Sequence, residues 1–253
     1  ENPCNMDYRY IDQQPALSEV VAACAGAPVL AVHTEFARFN TYYPIVGLIQ
    51  IFDGTNCYLI DPLAVEDLSP LAALMVSPET LKVFHACSED LEVFQHSLGV
   101  IPAPMFDSQI AAAILGVGFS MSYQNLVGHY LDINVPKEET RSDWLKRPLT
   151  QSQLDYAALD VIYLFEVYQL QKQQLSSLSR EHWVEQECLN MGVDIATMIE
   201  PNDFYRKVKG VQQLKPRQLH VLQALCAWRE IEARRQDAPR NRIVDQKALI
   251  GIA

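Results

Sequence analysis

The 253-residue sequence lacks the features that would assign it to a membrane, a secreted or a zinc-knuckle protein. No run of about 18 apolar residues occurs, and the first residues do not form a charged and then apolar leader, so we expect neither a membrane span nor a secretory signal. The six cysteines are scattered without a C-x-x-C pair, which argues against a zinc knuckle or a disulfide framework. Internal repeats and low-complexity tracts are also missing. We therefore expect a globular, cytoplasmic protein with reduced, mostly structural thiols.

Basic residues are scarce, and their distribution is uneven. The net charge of -11 counts against a nucleic-acid partner, because phosphate binding draws on lysine and arginine. However, residues 1–201 hold 9 basic and 26 acidic side chains, whereas residues 202–253 hold 11 basic and 5 acidic ones. An acidic body can still act on phosphodiesters if its carboxylates bind metal ions, and a basic tail can attract phosphates.

Short apolar segments rich in β-branched and aromatic residues predict the strands. They are Val29–Phe36, Ile45–Phe52, Cys57–Ile60 and Leu81–His85. The first three are close in sequence and predict an antiparallel meander, because turn residues separate them. We expect the fourth to join this sheet after a helical crossover through residues 68–75.

Helical periodicity dominates after the fourth strand. Ser88 is a candidate N-cap for a helix over residues 89–98, and Asp107 opens another helix. A T-x-x-Q capping box at Thr150 starts a long helix. Beyond a linker near Pro201, a further amphipathic helix is predicted. Its expected buried stripe comprises Leu219, Leu222, Leu225, Trp228 and Ile231.

Acidic side chains occur at three points that a folded sheet could bring together. His33 and Glu35 are two residues apart near the end of an apolar strand, so they point to the same face, where an ionised carboxylate needs a partner. Asp90 lies in the first turn of a helix, and Tyr156 and Asp160 share one face of another helix. Singly, each feature is common. Asp90 is also explained as a helix N-terminal charge, and Asp160 as a paired or solvated helix residue.

Together with their flanks, these residues resemble the motifs of the DEDD superfamily of 3'–5' exonucleases, in its tyrosine-bearing branch, and within it bacterial ribonuclease D. The first motif, D-x-E, corresponds to "HTE" at 33–35, the second to "FHACSEDL" at 84–91, and the third, Y-x-x-x-D, to "YAALD" at 156–160. The region from Leu214 resembles the start of an HRDC module, a small helical nucleic-acid-binding domain. Because the sequence stops partway through that module, we expect it to belong to a longer protein.

The resemblance implies an α/β fold of the ribonuclease H-like type, a mixed sheet flanked by helices, in residues 6–200. A partial all-α HRDC domain follows in residues 214–253. The implied activity is metal-dependent 3'–5' exoribonuclease activity with two divalent metal ions, Mg or Mn. Carried over by position, Glu35, Asp90 and Asp160 are metal ligands, and Tyr156 orients the attacking water. The implied partners are RNA 3' ends, with transfer RNA precursors as substrate; no membrane and no obligate protein partner is expected.

Position 33 departs from the family, in which an aspartate bridges both ions. The neutral imidazole of His33 offers one lone pair and binds a single ion, and imidazole suits zinc or manganese better than magnesium. We therefore expect His33 to belong to the catalytic and metal site, with a weakened or lost second metal position and slow hydrolysis. A natural change, an accidental change and a deliberate inactivation stay open as its origin.

Five further residues are candidates for substrate binding. Phe36 and His85 flank the first two motifs, where they could stack on or hydrogen-bond to a terminal nucleotide, although a strand aromatic usually belongs to the core. Arg141, Lys146 and Arg147 precede the third motif and could contact the RNA backbone or simply be solvated. The tail adds basic residues expected to attract phosphates: Arg206, Lys207, Lys209, Lys215, Arg217, Arg234, Arg235, Arg240 and Arg242.

Two alternative functions stay open at this point. If His33 has ended hydrolysis, the chain is a catalytically silent RNA-binding protein. The same fold could also act on DNA, because the motifs report phosphodiester chemistry and not whether a 2'-hydroxyl is read.

Overall fold

The computed structural model describes residues 7–135, 139, 142–197 and 199–253. Arg141, one of the residues predicted to bind substrate, lies outside these ranges. The chain divides into two compact units. The first comprises Glu1–Ala37 and Val46–Ala196, and the second comprises Arg38–Ile45 and Thr197–Ala253.

A six-stranded mixed sheet forms the centre of the first unit in the part of the chain that is described. Its strands are β1 (Tyr8–Ile11), β2 (Val29–Ala37), β3 (Ile45–Phe52), β4 (Cys57–Ile60), β5 (Leu81–Phe84) and β6 (Met105–Asp107). Their order across the sheet is β1-β4-β3-β2-β5-β6. β3 and β4 pair antiparallel, whereas β1 with β4, β2 with β5, and β5 with β6 pair parallel. β2, which carries His33 and Glu35, therefore lies inside the sheet.

The four predicted strands are present, and two more were not predicted. β1 and β6 are short, with four and three residues, and their place in the sheet depends on pairing with β4 and β5 and not on their own composition. His85 lies just beyond β5. Long apolar runs in β2, β3 and β4 reflect burial on both faces of the sheet, as in Leu48, Ile49 and Ile51, which have no exposed surface.

Helices flank this sheet. They are α1 (Gln14–Cys24), α2 (Ser69–Met75), α3 (Ser88–Leu98), α4 (Ser108–Leu115), α5 (Tyr123–Leu131), α6 (Gln151–Ser177) and α7 (Glu181–Ala196). The capping box predicted at Thr150 is present, with Gln153 as its partner. The cap predicted at Ser88 is wrong: Ser88 is the first helical residue, and Cys87 occupies the N-cap position without a side-chain hydrogen bond. α6 packs against β2, β4 and β5, which brings its inner face to the centre of the sheet.

Two further findings concern the expected class of protein. Across the residues that are described, no helix is long and apolar enough to cross a membrane. The cysteines of those residues are buried free thiols, and they are Cys24, Cys57, Cys87, Cys188 and Cys226.

The second unit is helical. It contains two 3-10 helices, Pro201–Lys207 and Val211–Gln213, followed by α8 (Pro216–Gln236), α9 (Arg240–Ile243) and α10 (Gln246–Ile252). Its small core is formed by the buried side chains of Val208, Leu222, Cys226 and Leu249. The stripe predicted on α8 is wrong at Trp228 and Ile231, which are 49% and 56% exposed.

The physical reason is a charged residue on the buried face of α8. Glu230 is only 1% exposed, and its carboxylate accepts hydrogen bonds from Arg234, Arg240 and the hydroxyl of Tyr42. A search for apolar positions misses such a face, because paired charges can be buried as well. Two of the tail arginines expected to attract phosphates are thus engaged within the unit. Arg206 and Arg235 also pair with neighbouring carboxylates at the surface.

Candidate active site

Three elements of the first unit bring the predicted site residues to one place. β2 supplies His33 and Glu35, the start of α3 supplies Asp90, and α6 supplies Tyr156 and Asp160. The helices reach β2 because α3 and α6 both pack against this strand.

His33 lies among three carboxylates. Its Nδ1 atom is 3.3 Å from Asp90 Oδ1, and its Nε2 atom is 3.9 Å from Glu35 Oε1. Single ligand atoms of His33, Glu35 and Asp160 all lie within 4.8 Å of one another. Side chains that are up to 127 residues apart in the sequence therefore form one cluster, as the three-motif hypothesis requires.

Burial shifts the pKa values of the side chains in this cluster. It raises the pKa of Glu35 to about 8 and the pKa of Asp160 to about 6, while the charge of His33 opposes both shifts. Burial alone would lower the pKa of His33, but Asp90, Glu35 and Asp160 together raise it to about 10. Without a bound cation, the imidazolium supplies the positive charge that the carboxylates need. A metal ion that binds through a ring nitrogen must displace its proton.

Asp90 is fixed by the strand beside it. Its Oδ1 atom accepts hydrogen bonds from the backbone N–H of Thr34 at 2.9 Å and from the Thr34 hydroxyl at 2.7 Å. His33 is the third group at the same oxygen. Thr34 was not predicted to have a role, and the middle position of the D-x-E motif gave no signal for one.

Asp107, at the end of β6, is a second organising residue whose role the sequence indicated only as a helix start. Its buried carboxylate accepts hydrogen bonds from the N–H groups of Ala86 at 3.1 Å, Cys87 at 2.8 Å and Gln109 at 2.7 Å. Ala86 has a φ of 53°, in the left-handed region, so the bend before α3 is strained and needs such support. Asp107 thereby fixes where α3 begins and where Asp90 lies.

A cavity of about 70 Å³ adjoins the cluster. Its lining residues are His33, His85, Tyr123, Gln124, Tyr156, Asp160 and Leu164. His85 Nδ1 is 2.9 Å from the Ser108 hydroxyl, and its ring contacts the edge of Tyr123. The Tyr123 hydroxyl donates to the backbone carbonyl of Asp160 at 2.6 Å, which ties α5 to α6. Tyr123 and Gln124 were missed because α5 carries no recognisable motif.

The other predicted substrate-binding residues lie in different surroundings. Phe36 is partly buried and packs against the hydrophobic core. Lys146 is exposed. Arg147 forms a bidentate ion pair with buried Asp61, at 2.6 and 2.7 Å, and also donates to the carbonyl of Gly47. Its guanidinium is engaged within the protein, which argues against the RNA-backbone contact predicted from the sequence.

Two family models match this chain. One, described as "3'-5' exonuclease", matches residues 8–176, and the other, described as "HRDC domain", matches residues 218–253. The chain belongs to the 3'–5' exonuclease family.

Ribonucleases D are among the relatives of this exonuclease chain. It is 44% identical over 247 residues to ribonuclease D of Pseudomonas paraeruginosa, covering 98% of this chain and 65% of that protein. It is 39% identical over 251 residues to ribonuclease D of Escherichia coli, covering 98% of this chain and 66% of that protein. The chain thus spans a little under two thirds of the length of these relatives.

Solved exonuclease structures agree with this relationship. The crystal structure of Escherichia coli RNase D, described as an exoribonuclease involved in structured RNA processing, matches with a TM-score of 0.90 and 39% identity, covering 98% of this chain and 66% of that one. The catalytic core of RRP6 from Trypanosoma brucei matches with a TM-score of 0.78 and 25% identity, covering 100% and 71%. The predicted fold class, a mixed sheet flanked by helices and followed by an HRDC region, is confirmed.

Exonucleases of this fold generally depend on divalent metal ions, and the donor atoms here fit one ion. Asp160 Oδ1 is buried and has no hydrogen-bond partner among the described residues, so a cation would satisfy an oxygen that is otherwise left unpaired. A bridged pair of ions does not fit, because the imidazole of His33 offers a single lone pair and cannot bridge two ions.

The pKa shifts of this exonuclease site predict how the metal-free chain responds to pH. Glu35 and His33 have raised pKa values, so between about pH 6.5 and 8 the folded chain holds more protons than the unfolded chain, and its stability falls as pH rises. We expect the melting temperature in EDTA to decrease across this interval. Buried Lys82, whose pKa is lowered to about 8, acts in the opposite direction only at higher pH.

Thermal unfolding of a Glu35→Gln variant provides the control. This variant cannot release the Glu35 proton, so its melting temperature should depend less on pH than that of the unaltered chain. Equal slopes for both proteins would contradict the assignment of the shift to Glu35.

Proposed function

We propose that this chain is a 3'–5' exoribonuclease of ribonuclease D type that trims RNA 3' ends by metal-dependent phosphodiester hydrolysis. The single observation that carries this proposal is the convergence of Glu35, Asp90, Asp160 and Tyr156, the residues that correspond to the three exonuclease motifs. Relatives named ribonuclease D support RNA as the substrate. By the same relationship, we propose transfer RNA precursors as the natural substrates.

The site residues have two proposed roles, metal binding and the orientation of water. In the family arrangement, Glu35, Asp90, Asp160 and His33 would hold the divalent metal, Mg or Mn. When bound, such an ion supplies an electrophile that polarises phosphate oxygens and activates water. Tyr156 is 9% exposed and lines the cavity beside Asp160. A phenol hydroxyl both donates and accepts hydrogen bonds, so Tyr156 orients the water by hydrogen bonding.

His33 limits the rate in this proposal. Two-ion catalysis requires a residue that can offer two oxygens to neighbouring ions, and an imidazole offers a single nitrogen lone pair. We therefore propose that the chain binds RNA 3' ends but hydrolyses them slowly.

Substrate contacts are assigned to the residues that face the cavity or solvent. His85 lines the cavity beside the cluster and is proposed to meet the terminal nucleotide. Lys146 is exposed and is proposed to meet the RNA backbone. Phe36, which packs against the hydrophobic core, would support the strand that carries His33 and Glu35. We also propose a cytoplasmic location, which suits the buried free thiols. No obligate protein partner is invoked.

Conservative removal of the Tyr156 hydroxyl tests the proposed chemistry. We expect Tyr156→Phe to slow release of nucleotides from a 3'-labelled RNA by about 100-fold, because water loses its orienting group. The length of the RNA products is measured over time in a reaction that contains Mn²⁺. Tyr130→Phe is the matched control, since its hydroxyl bonds to Gln174 at the surface. Unchanged rates for Tyr156→Phe would contradict the role of this residue.

The same assay distinguishes the alternatives. An RNA-binding protein without activity would retain the labelled RNA undegraded at every metal concentration. A DNA exonuclease would degrade a DNA strand of identical sequence at least as fast as the RNA, because it would not depend on the 2'-hydroxyl. Products that shorten one nucleotide at a time from the RNA 3' end, with slower degradation of DNA, support the exoribonuclease.

A further inference from the structure

The orientation of the His33 ring determines which of its nitrogens can bind an ion. Nδ1 lies 3.3 Å from Asp90 Oδ1 and forms an ion pair with it when the ring is protonated. This carboxylate favours a proton on Nδ1. Nε2 is left on the side of Glu35, 3.9 Å from its carboxylate. In the neutral ring, Nε2 carries the lone pair.

Asp160 is the second observation, and it is independent of the histidine. The residue is 6% exposed, and its Oδ1 atom has no hydrogen-bond partner among the described residues. A buried carboxylate oxygen without a hydrogen-bond partner is costly, because the nearby charge of His33 and the hydrogen bond between Tyr156 and Asp160 offset the desolvation only in part. Its ligand atom lies within 4.8 Å of ligand atoms of His33 and Glu35. This spacing points to a cation as the missing partner.

Asp90 differs from the other carboxylates of the cluster. Two hydrogen bonds from Thr34, at 2.9 and 2.7 Å, and the contact with His33 occupy its Oδ1 atom. Histidines that bind metals commonly donate their other ring N–H to a carboxylate, which fixes the tautomer and the ring orientation. The ion pair between His33 Nδ1 and Asp90 places a carboxylate on the corresponding side of the ring.

We propose that His33 Nε2, Glu35 and Asp160 form a site for a single transition-metal ion, with Asp90 as the outer carboxylate that orients His33. The proposal rests on the proposed function in that it concerns the same site, and it changes the role of Asp90 from ligand to positioning residue. Ligand atoms around one ion at about 2.1 Å lie roughly 3 to 4 Å apart, so the three side chains need to close by about 1 Å.

The donor set determines which ions are preferred. One imidazole and two carboxylates suit Zn²⁺, Co²⁺ and Mn²⁺, whose affinities for nitrogen ligands exceed that of Mg²⁺. Magnesium demands six oxygen ligands in near-ideal octahedral geometry. We therefore expect Mg²⁺ to bind at least about 10-fold more weakly than Mn²⁺ or Co²⁺.

Metal titration of the full chain without RNA tests the site. Isothermal titration calorimetry with Mn²⁺, Co²⁺ and Mg²⁺ should give one ion per chain for the first two. His33→Ala should lose this binding, whereas His182→Ala, at an exposed position of α7, should retain it. Two ions per chain, or equal affinities for Mg²⁺ and Mn²⁺, would overturn the proposal.

The role of Asp90 is tested by measuring two properties of an Asp90 variant separately: its affinity for Co²⁺ and the set of ligands around the bound Co²⁺. Asp90→Asn should weaken Co²⁺ binding by about 10- to 100-fold while the visible absorption bands of bound Co²⁺ stay unchanged. If Asp90 were a ligand, the bands would change as well. Should this buried variant fail to fold, nitrogen NMR of the unaltered chain, labelled at histidine and loaded with Zn²⁺, decides the point. It should show His33 protonated at Nδ1 and ligated at Nε2; the reverse assignment would refute the proposal.

These measurements are independent of nuclease activity. A chain that binds one Co²⁺ as described but never shortens RNA, even with aspartate restored at position 33, would refute the proposed function and leave the metal site standing. A chain that shortens RNA yet binds two equivalent magnesium ions would refute the single-ion site and leave the proposed function standing.

Discussion

His33→Asp should hydrolyse RNA 3' ends at least about 100-fold faster than the unaltered chain in magnesium, which lowers the activation barrier by about 2.7 kcal/mol or more. The aspartate offers two oxygens where the imidazole offers one nitrogen, and it restores the donor that the family uses between two ions. The measurement is single-turnover hydrolysis of a 3'-labelled RNA. Manganese should narrow the difference between the two proteins, because it accepts nitrogen ligands better than magnesium does.

His33→Asn is the matched control for this gain. The asparagine removes the imidazole without supplying a carboxylate, so it should not restore the rate. If the unaltered chain and His33→Asp were equally fast in magnesium, the argument from bridging would be refuted. Recovery by His33→Asn would indicate that the imidazole only blocks the site.

Arg147→Ala should lower the free energy of unfolding by about 3 kcal/mol, near the lower end of the range for breaking a buried ion pair. Asp61 is 3% exposed and receives two hydrogen bonds from Arg147, one from the Tyr10 hydroxyl at 2.5 Å and one from the Leu63 N–H at 2.9 Å. Without the guanidinium, the Asp61 charge stays buried with too few partners. The Arg147 side chain is a quarter exposed, which moderates the loss. Urea unfolding followed by circular dichroism measures it.

Lys146→Ala is the control for the loss of a positive charge in the same segment. Lys146 is exposed, so its replacement should change stability by less than about 0.5 kcal/mol. Replacing Asp61 by asparagine in the Arg147→Ala background should recover part of the loss, because no buried charge is then left unpaired. A loss below about 1 kcal/mol for Arg147→Ala would show that water compensates Asp61.

The fold could be predicted where local patterns match burial. Continuous apolar runs identified β2, β3 and β4, because strands covered on both faces contain few polar residues. The long helix α6 was visible from its capping box. β1 and β6 could not be predicted, because their place depends on pairing with β4 and β5 and not on their own composition. The inner face of α8 escaped detection because it buries Glu230 with two arginines.

The sequence indicated which side chains come together but not their geometry. The resemblance to the family motifs pointed to Glu35, Asp90 and Asp160, yet a motif carries no information about hydrogen bonds. The packing of α3 on β2 determines two details of the site. It determines which oxygen of Asp90 accepts the hydrogen bonds of Thr34, and which nitrogen of His33 is left open. Arg147 shows the opposite problem: a basic residue near a motif invites a functional interpretation, although its partner Asp61 is distant in sequence and could not be foreseen.

The hydrogen bonds that the Asp107 carboxylate accepts have a consequence for protein engineering. One side chain joins the bend before α3 to the first turn of α4, so the two segments cannot be exchanged independently. A chimera that transplants only the three motifs into another scaffold would leave the strained bend at Ala86 unsupported. A successful graft must include Asp107, although this residue lies outside every motif.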